Sequence, residues 1–364
     1  MTECILHYFA GGNTARGFQS LYEHNIVGLK KLFILKGGSG TGRSALMKNI
    51  GRHYGDQGYQ LQYLHCSSDH ESIDGVIIPA LGAGIVDGTA PRVIEPHFPD
   101  AIGQYVNIEE AWDASLLAEQ TEAIDALTEK IEAAFRSAYA AFAQALRIHD
   151  EWEAIYIDNM DFDKANELTE EMIERLFGGR MKQSIADVRQ RFLGAATPIG
   201  AVDYVPNLTN DMARRFFIKG RPGSGKSTML KRIASEAEER GFDVEIYRCG
   251  FDPSSVDMVI VRELGFAIFD STAPHEYFPS RAGDEIIDVY GRCIRPGTDE
   301  DYSADIENIA QRYRQKMNEA TVHLAQAKGL HDELEKIYIA GVDLSKMESM
   351  QASILQEIED MKVK

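Results

Sequence analysis

Cysteine is scarce in this sequence, and long apolar runs are missing altogether. The 364 residues include four cysteines, and none of these form a CxxC pair, which indicates free thiols in a reducing compartment. No stretch approaches the roughly 18 apolar residues that a membrane span needs. The first residues also lack the basic and apolar regions of a secretory signal. These absences predict a cytoplasmic protein with no membrane association.

Basic residues are in short supply as well. The chain has 38 Lys and Arg against 57 Asp and Glu, which gives a formal net charge of −19. Such a surface repels nucleic acid and anionic lipid over most of its area, because affinity for phosphate backbones comes mainly from Lys and Arg. We therefore do not expect a dedicated nucleic-acid-binding protein.

The sequence contains an internal duplication. Residues 33–92 align with residues 216–275 without a gap, at an offset of 183, so that Gly37 corresponds to Gly220. Near the end of each copy, HDEWEAIYI (149–157) matches HDELEKIYI (331–339) at an offset of 182. Internal repeats of this kind set the architecture of a chain. We predict two domains, residues 1–185 and 186–364, that form an intramolecular pseudo-dimer.

The pattern within the second copy indicates an α/β fold. A short apolar run (215–219) ends in a glycine-rich turn, helical spacing follows over 227–240, and 243–249 alternates as a strand does. Residues 265–270 are a continuous apolar run that ends in Asp, typical of a strand buried on both faces. This order predicts that each copy is a three-layer α/β/α domain with a parallel sheet.

The last part of each copy has a different composition. Residues 109–190 and 303–362 are rich in Ala, Glu, Leu, Gln and Lys and nearly free of Gly and Pro. They predict long helices that form an antiparallel hairpin appended to each α/β core. Their acidic faces indicate solvated helix surfaces, and an arm that binds a partner protein is the alternative.

The glycine-rich turn of the second copy carries the chemistry. GRPGSGKS (220–227) matches G-x-x-x-x-G-K-[ST] between a predicted strand and a predicted helix, as a phosphate-binding loop requires. Lys226 is expected to bridge the β- and γ-phosphates of ATP, Ser227 to bind Mg²⁺, and Asp270 to hold the metal. The expected nucleotide contacts are Gly220, Arg221, Pro222, Gly223, Ser224, Gly225, Lys226, Ser227 and Thr228.

The first copy departs from this motif at one position, where Arg43 replaces the lysine. A guanidinium is broad and planar and does not fit between two phosphates as an ammonium does. The metal ligands Ser44 and Asp87 remain, so we expect a site that is weak or binds without efficient turnover. The equivalent loop positions are Gly37, Gly38, Ser39, Gly40, Thr41, Gly42, Arg43, Ser44 and Ala45.

Four further residues are candidates for catalysis. Asp252 and Asp257 follow the second strand, and either position an acceptor hydroxyl or a water, or cap a short helix. Thr272 and His275 extend past Asp270 as candidate γ-phosphate sensors. No Glu follows Asp270 or its counterpart to polarise water, so the sequence does not predict fast hydrolysis. The HDEWE and HDELE segments are predicted to pack helices together.

Four segments carry a resemblance to a known group. FFIKGRPGSGKS (216–227), CGFDPSS (249–255), FDSTAPHEYFP (269–279) and HDELE (331–335) are similar to bacterial tandem P-loop NTPases labelled as ATPase or nucleotide-kinase-like. The resemblance covers essentially the whole chain. It implies an ATP-binding fold and brings no reaction or substrate with it.

Three functions agree with these observations. The first is a Mg-ATP hydrolase, slow or stimulated by a partner, with one competent and one degenerate site. The second is a nucleotide or small-molecule kinase, for which Arg281, Arg292 and Arg295 are candidate lid residues. The third is a nucleotide-stabilised scaffold that does not hydrolyse ATP. ATP is preferred to GTP because no guanine-reading Asn-Lys-x-Asp motif is present.

Overall fold

Strands from both repeats build one large mixed β-sheet, with helices packed around it. The computed structural model describes residues 5–38, 42–89 and 102–362. In these ranges, the first repeat contains β1 (Ile5–Phe9), β2 (Gly11–Thr14), β3 (Gly17–Ser20), α1 (Glu23–Ile26), β4 (Lys31–Lys36), α2 (Arg43–Asp56), β5 (Leu61–His65), β6 (Ile73–Ile78), β7 (Ala83–Asp87), β8 (Gly103–Asn107), α3 (Ala114–Ala118), α4 (Thr121–Ile157) and α5 (Phe162–Phe177).

The second repeat follows the same succession of strands. Its elements are β9 (Val188–Phe192), β10 (Gly194–Thr197), β11 (Gly200–Asp203), α6 (Val205–Leu208), β12 (Arg214–Lys219), α7 (Lys226–Glu239), β13 (Val244–Arg248), β14 (Val256–Val261), β15 (Phe266–Asp270), β16 (Asp284–Asp288), α8 (Val289–Cys293), α9 (Thr298–Asp301), α10 (Ser303–Ala340) and α11 (Leu344–Lys362). The elements predicted from the sequence as β12, α7, β13 and β15 are confirmed within one or two residues.

The sheet is symmetric about its centre. Its twelve strands run in the order β16-β12-β15-β14-β13-β9-β1-β5-β6-β7-β4-β8, so the two halves have the same internal order. The halves meet where β1 and β9 pair antiparallel, with Phe9 opposite Phe192. β2 with β3, and β10 with β11, form separate two-stranded hairpins. The two repeats are thus related by a pseudo-twofold axis at the β1–β9 joint.

The expectation of a parallel sheet is wrong for one strand in each half. β6 runs antiparallel to both β5 and β7, and β14 runs antiparallel to both β13 and β15. The physical reason is the length of the connections. Only residues 66–72 join β5 to β6, whereas a parallel crossover needs about a dozen residues or more. β14 itself was not predicted.

Both faces of the sheet are covered. On one face, α2 and α11 bury Leu46, Ile50, Ile354 and Ile358 against the first half, and α5 and α7 cover the second half in the same way. On the opposite face, the short helices α1 and α6 cross the joint. α1 packs on β9 and α6 packs on β1, so each lies on a strand of the other repeat.

The predicted long helices are present, but the predicted hairpins form between repeats rather than within them. α4 packs along α10, and an ion pair joins Glu151, late in α4, to Arg312, early in α10. Phe142 and Leu324 pack together further along, so the two helices run antiparallel. α5 packs on α7 of the second repeat, and α11 packs on α2 of the first. The arm of each repeat therefore covers the core of the other.

No helix in the described ranges is both long and apolar enough to cross a membrane.

Candidate functional site

A cavity of about 990 Å³ lies beside the loop that follows β12. All of the predicted contacts of the second repeat line it: the whole of Gly220–Thr228 together with Asp252, Asp257, Asp270, Thr272 and His275. The structure thus brings the second-repeat candidates together in one place. Its volume is at the upper end of the range of about 300–1,000 Å³ that is common for small-molecule sites.

The glycine-rich loop lies between β12 and α7, as predicted. Gly225 has φ of +86° and Gly223 has φ of +74°, which are left-handed values that favour glycine. The Ser224 hydroxyl braces the turn, because it donates to the Arg221 carbonyl at 2.8 Å and accepts from the Arg221 N–H at 3.2 Å. The loop ends at the N-terminus of the 14-residue α7, whose first N–H groups and dipole favour an anion.

Lys226 and Asp270 face each other at the end of this loop. Lys226 is buried, with its Nζ 3.5 Å from Asp270 Oδ2 and donating to the Arg221 carbonyl at 2.8 Å. The other oxygen, Asp270 Oδ1, accepts from the N–H and the hydroxyl of Thr272 at 3.1 and 2.7 Å. β12 and β15 are neighbours in the sheet, which places the carboxylate next to the loop. Thr272 therefore acts on Asp270 by fixing its orientation.

Ser227 and Asp270 are the two predicted metal ligands of this repeat, and both line the cavity. Ser227 Oγ accepts the N–H of Val256 at 3.0 Å, which ties the start of α7 to β14 and leaves an oxygen lone pair. Mg²⁺ prefers hard oxygen donors and is usually held by one or two protein groups together with phosphate and water. A hydroxyl and a fixed carboxylate beside the glycine-rich loop fit that preference.

Asp252 and Asp257 have different environments. Asp252 holds the turn before β14, accepting from Ser254 Oγ at 2.5 Å, and pairs with Arg16 of the first repeat at 3.2 Å. Asp257 lies within β14, and burial together with the nearby Asp270 raises its pKa to about 6. Neither residue caps a helix, because the chain passes from the turn directly into β14; that alternative is wrong.

His275 is anchored to a hairpin of its own repeat. Its Nδ1 lies 2.7 Å from Asp203 Oδ2, and Tyr277 donates to the other oxygen of Asp203 at 2.6 Å. Burial opposes the charged imidazole, but the hydrogen bond and the charge of Asp203 outweigh it and raise the pKa of His275. The raised pKa favours the protonated imidazole, whose positive charge would suit an anion at the cavity wall.

The candidate kinase lid is not assembled around this cavity. Arg281 donates to the backbone carbonyls of Thr209 and Met212 at 2.8 and 2.6 Å. Arg292 pairs with Glu171 at 2.9 Å, and Arg295 pairs with Asp301 at 2.8 Å. All three arginines therefore hold other parts of the fold together, and none is among the residues that line the cavity.

One wall of the cavity comes from the first repeat, which the sequence did not reveal. The end of α4 contributes His149, Asp150, Trp152, Glu153 and Tyr156. The fit against the loop is tight: a Cβ at Gly223 would lie 2.5 Å from the carbonyl oxygen of Glu153.

Two contacts in this wall involve titratable groups. Ligand atoms of His149, Asp150 and Glu153 all lie within 4.8 Å of one another. Tyr156 donates to Asp299 at 2.9 Å, and Asp299 in turn pairs with Arg221 of the loop at 2.7 Å. The only signal in the sequence was the recurrence of the HDxxE pattern in both copies.

The first repeat has the same serine and aspartate contacts as the second, but an arginine takes the place of the lysine. Ser44 Oγ accepts the N–H of Ile73 at 3.0 Å, as Ser227 does from Val256, and Asp87 Oδ1 accepts the Thr89 N–H and hydroxyl at 2.9 and 2.6 Å. Arg43 lies 3.2 Å from Asp87. Of the other predicted loop positions, Gly37, Gly38, Gly42 and Ala45 lie on either side of residues 39–41, and Ser39, Gly40 and Thr41 fall outside the described residues.

Comparison of the chain with protein-family models, curated proteins and solved structures gives no match in any of the three. The functional argument therefore rests on the chemistry of the cavity.

Proposed function

We propose that the second repeat binds Mg-ATP in this cavity and hydrolyses it slowly or under the control of a partner. The observation that carries the proposal is the convergence of a G-x-x-x-x-G-K-[ST] loop, its buried Lys226 and the fixed Asp270 on one cavity. In this proposal the backbone N–H groups of Gly223–Lys226 bind phosphate oxygens. Lys226 leaves the Arg221 carbonyl and bridges the β- and γ-phosphates.

Mg²⁺ would be held by Ser227, directly, and by Asp270, through water. When bound, the ion would neutralise the negative charge that develops on the phosphate oxygens. A protonated His275 would add a further positive charge at the wall, and Thr272 keeps Asp270 in the orientation that the metal requires. The first repeat, with Arg43 across its loop, serves as a degenerate site in this account.

We favour hydrolysis over phosphotransfer because the three candidate lid arginines do not line the cavity. A kinase lid needs cationic side chains over the phosphates, and Arg281, Arg292 and Arg295 are engaged elsewhere in the fold. Adenine is assigned because the chain lacks the guanine-reading motif.

Phosphate release from Mg-ATP tests the proposal. We expect ADP and phosphate to form slowly without any added acceptor, with at least tenfold loss in Ser227→Ala and Asp270→Asn and with EDTA. Ser235→Ala, an exposed change on the same helix, is the matched control and is expected to have no effect. ADP formation that appears only with an added acceptor would identify a kinase, and binding with no turnover in any condition would leave the scaffold function.

A further inference from the structure

The acidic residues that line the cavity differ in their exposure and in the hydrogen bonds and ion pairs that their carboxylates make. Seven line it: Asp150, Glu153, Asp252, Asp257, Asp270, Asp299 and Glu307. Asp252 holds a turn and Arg16, and Asp299 is held by Arg221 and Tyr156. The carboxylate of Asp257 is hydrogen-bonded by the Cys249 side chain, and Asp270 faces Lys226. Asp150 and Glu307 are exposed. Glu153 is the remaining carboxylate, half-buried against the loop.

The position of Glu153 is defined by contacts on two sides. Its backbone lies against Gly223, so that no Cβ could be placed there without moving α4. The Gly223 N–H is close enough to the Glu153 carboxylate to favour its charged form. On the other side, Glu153 Oε1 lies 3.6 Å from Nδ1 of His149. The carboxylate is thus held beside a loop N–H of the kind that binds phosphate oxygens.

The electrostatic surroundings suit a general base. Burial, Asp150 and Asp252 raise the pKa of Glu153, while Lys226 and the Gly223 N–H act in the opposite direction. A carboxylate with a raised pKa accepts a proton more readily near neutral pH. Burial lowers the pKa of His149, which keeps this imidazole neutral, and its ring packs against Phe251 and Tyr313. His149 therefore lies beside Glu153 as a neutral neighbour rather than as a charge partner.

We propose that Glu153, on helix α4 of the first repeat, orients and deprotonates the water that attacks the γ-phosphate at the loop of the second repeat. The water oxygen bonds to the γ-phosphorus, the bond from that phosphorus to the β,γ-bridging oxygen breaks, and the water proton passes to Glu153. The products are ADP and phosphate. This inference rests on the proposed function. It explains how a site without a Glu after Asp270 can still hydrolyse ATP: the carboxylate comes from the other repeat.

The pseudo-symmetry of the chain repeats the arrangement. Glu335, the equivalent of Glu153, lies on α10 of the second repeat. The charges that act on it include Asp69 and Arg43 of the first repeat, as well as Lys328 of its own helix. His331, Asp332 and Glu335 form the same close group as their counterparts on α4. In each repeat the long helix therefore places a glutamate near the loop of the other repeat. The two helices, α4 and α10, also pack against each other.

The test is hydrolysis and binding of Mg-ATP by the full chain, comparing wild type, Glu153→Gln and Glu151→Gln. Glu151 lies two residues away on α4, exposed and paired with Arg312, so it controls for charge and for helix packing. We expect Glu153→Gln to lower turnover by about 100-fold or more, as loss of a general base does. We expect its Kd for Mg-ATP to stay equal or to fall, because a negative charge near the phosphates has been removed.

Two further readouts separate catalysis from a structural role. The acidic limb of the wild-type rate against pH should flatten in Glu153→Gln. Glu153→Asp, which keeps the charge and withdraws the carboxylate by one methylene, should lose about tenfold in turnover and retain the limb. Unchanged turnover in either variant, or weakened binding in parallel with lost turnover, would overturn the inference. A wild type that binds no Mg-ATP would instead overturn the proposed function itself.

Discussion

The guanidinium of Arg43 lies 3.2 Å from the carboxylate of Asp87, at the position where Lys226 lies 3.5 Å from Asp270. Arg43 also donates to the carbonyl of Gly37 at 3.0 Å and to that of Gly38. It therefore extends across the loop and engages the carboxylate that a metal would need. The serine and the threonine-fixed aspartate are alike in both repeats, so this cation is the main difference that the described part of the two sites shows.

Exchange of the two cations should exchange the properties of the sites. We expect Arg43→Lys to raise the number of Mg-ATP molecules bound per chain from one towards two, because an ammonium is compact enough to bridge two phosphates. The reciprocal Lys226→Arg change should weaken binding at the second site by at least tenfold. Calorimetric stoichiometry measures both. A stoichiometry of two in the wild type would show that Arg43 does not impair the first loop.

Gly223 can be tested for its contact with the arm. Gly223→Ala places a Cβ 2.5 Å from the Glu153 carbonyl oxygen in a left-handed backbone conformation, so we expect loss of stability and of nucleotide turnover. Gly58→Ala is the matched control: its φ is +86°, with nothing within 4 Å of the added carbon. The control should lose about 1–2 kcal/mol of unfolding free energy and keep its turnover. Equal turnover in both variants would mean that the contact between α4 and the loop is not needed.

The contact between α4 and the loop could not be predicted from the sequence, whereas most of the local elements could. The order β12, glycine-rich loop, α7, β13 and β15 could be predicted because periodicity and turn residues act locally. β14 was missed because Val256–Val261 is a short, largely buried run, and periodicity alone does not distinguish such a run from a helical segment. The apolar face of α4 predicted a helix that packs, but not its partner. Only the pseudo-twofold arrangement places Glu153 at the other repeat's loop.

Acid should destabilise the chain through a half-buried pair of histidines. His7 Nδ1 lies 2.8 Å from His65 Nε2, and burial together with His7 lowers the pKa of His65 to about 3. Histidine in the unfolded chain titrates near 6.5, so the unfolded state binds more protons between these values. The contribution of His65 to the unfolding free energy is therefore least unfavourable above pH 6.5 and becomes more unfavourable as the pH drops towards 3.

Urea unfolding at pH 7 and pH 5 checks this dependence on His65. We expect a smaller loss of unfolding free energy between the two pH values in His65→Gln than in the wild type. The window stays above the range in which most carboxylates titrate. An identical loss in both proteins would assign the acid sensitivity to other groups.

Asp257 contributes to the unfolding free energy with a pH dependence opposite in sign to that of His65. Its pKa is raised to about 6 by burial and by Asp270, above the value of about 3.9 for an unfolded aspartate. The native chain therefore holds a proton more tightly, and this group costs stability as the pH rises through 6. Asp257→Asn should raise the unfolding free energy by about 1–3 kcal/mol at pH 8, with a smaller gain at pH 5. A gain that is the same at both pH values would exclude titration of Asp257 as its cause.

Mg-ATP binding to the full chain, measured by calorimetry in wild type and Lys226→Met, tests the central claim most directly. Methionine keeps the length and apolar stem of the lysine and removes the ammonium. Lys130→Met, an exposed change on α4, controls for the loss of one positive charge. The account predicts one site per wild-type chain, retained in Lys130→Met and lost in a folded Lys226→Met. Binding of equal affinity in Lys226→Met, or no binding in the wild type, would contradict it.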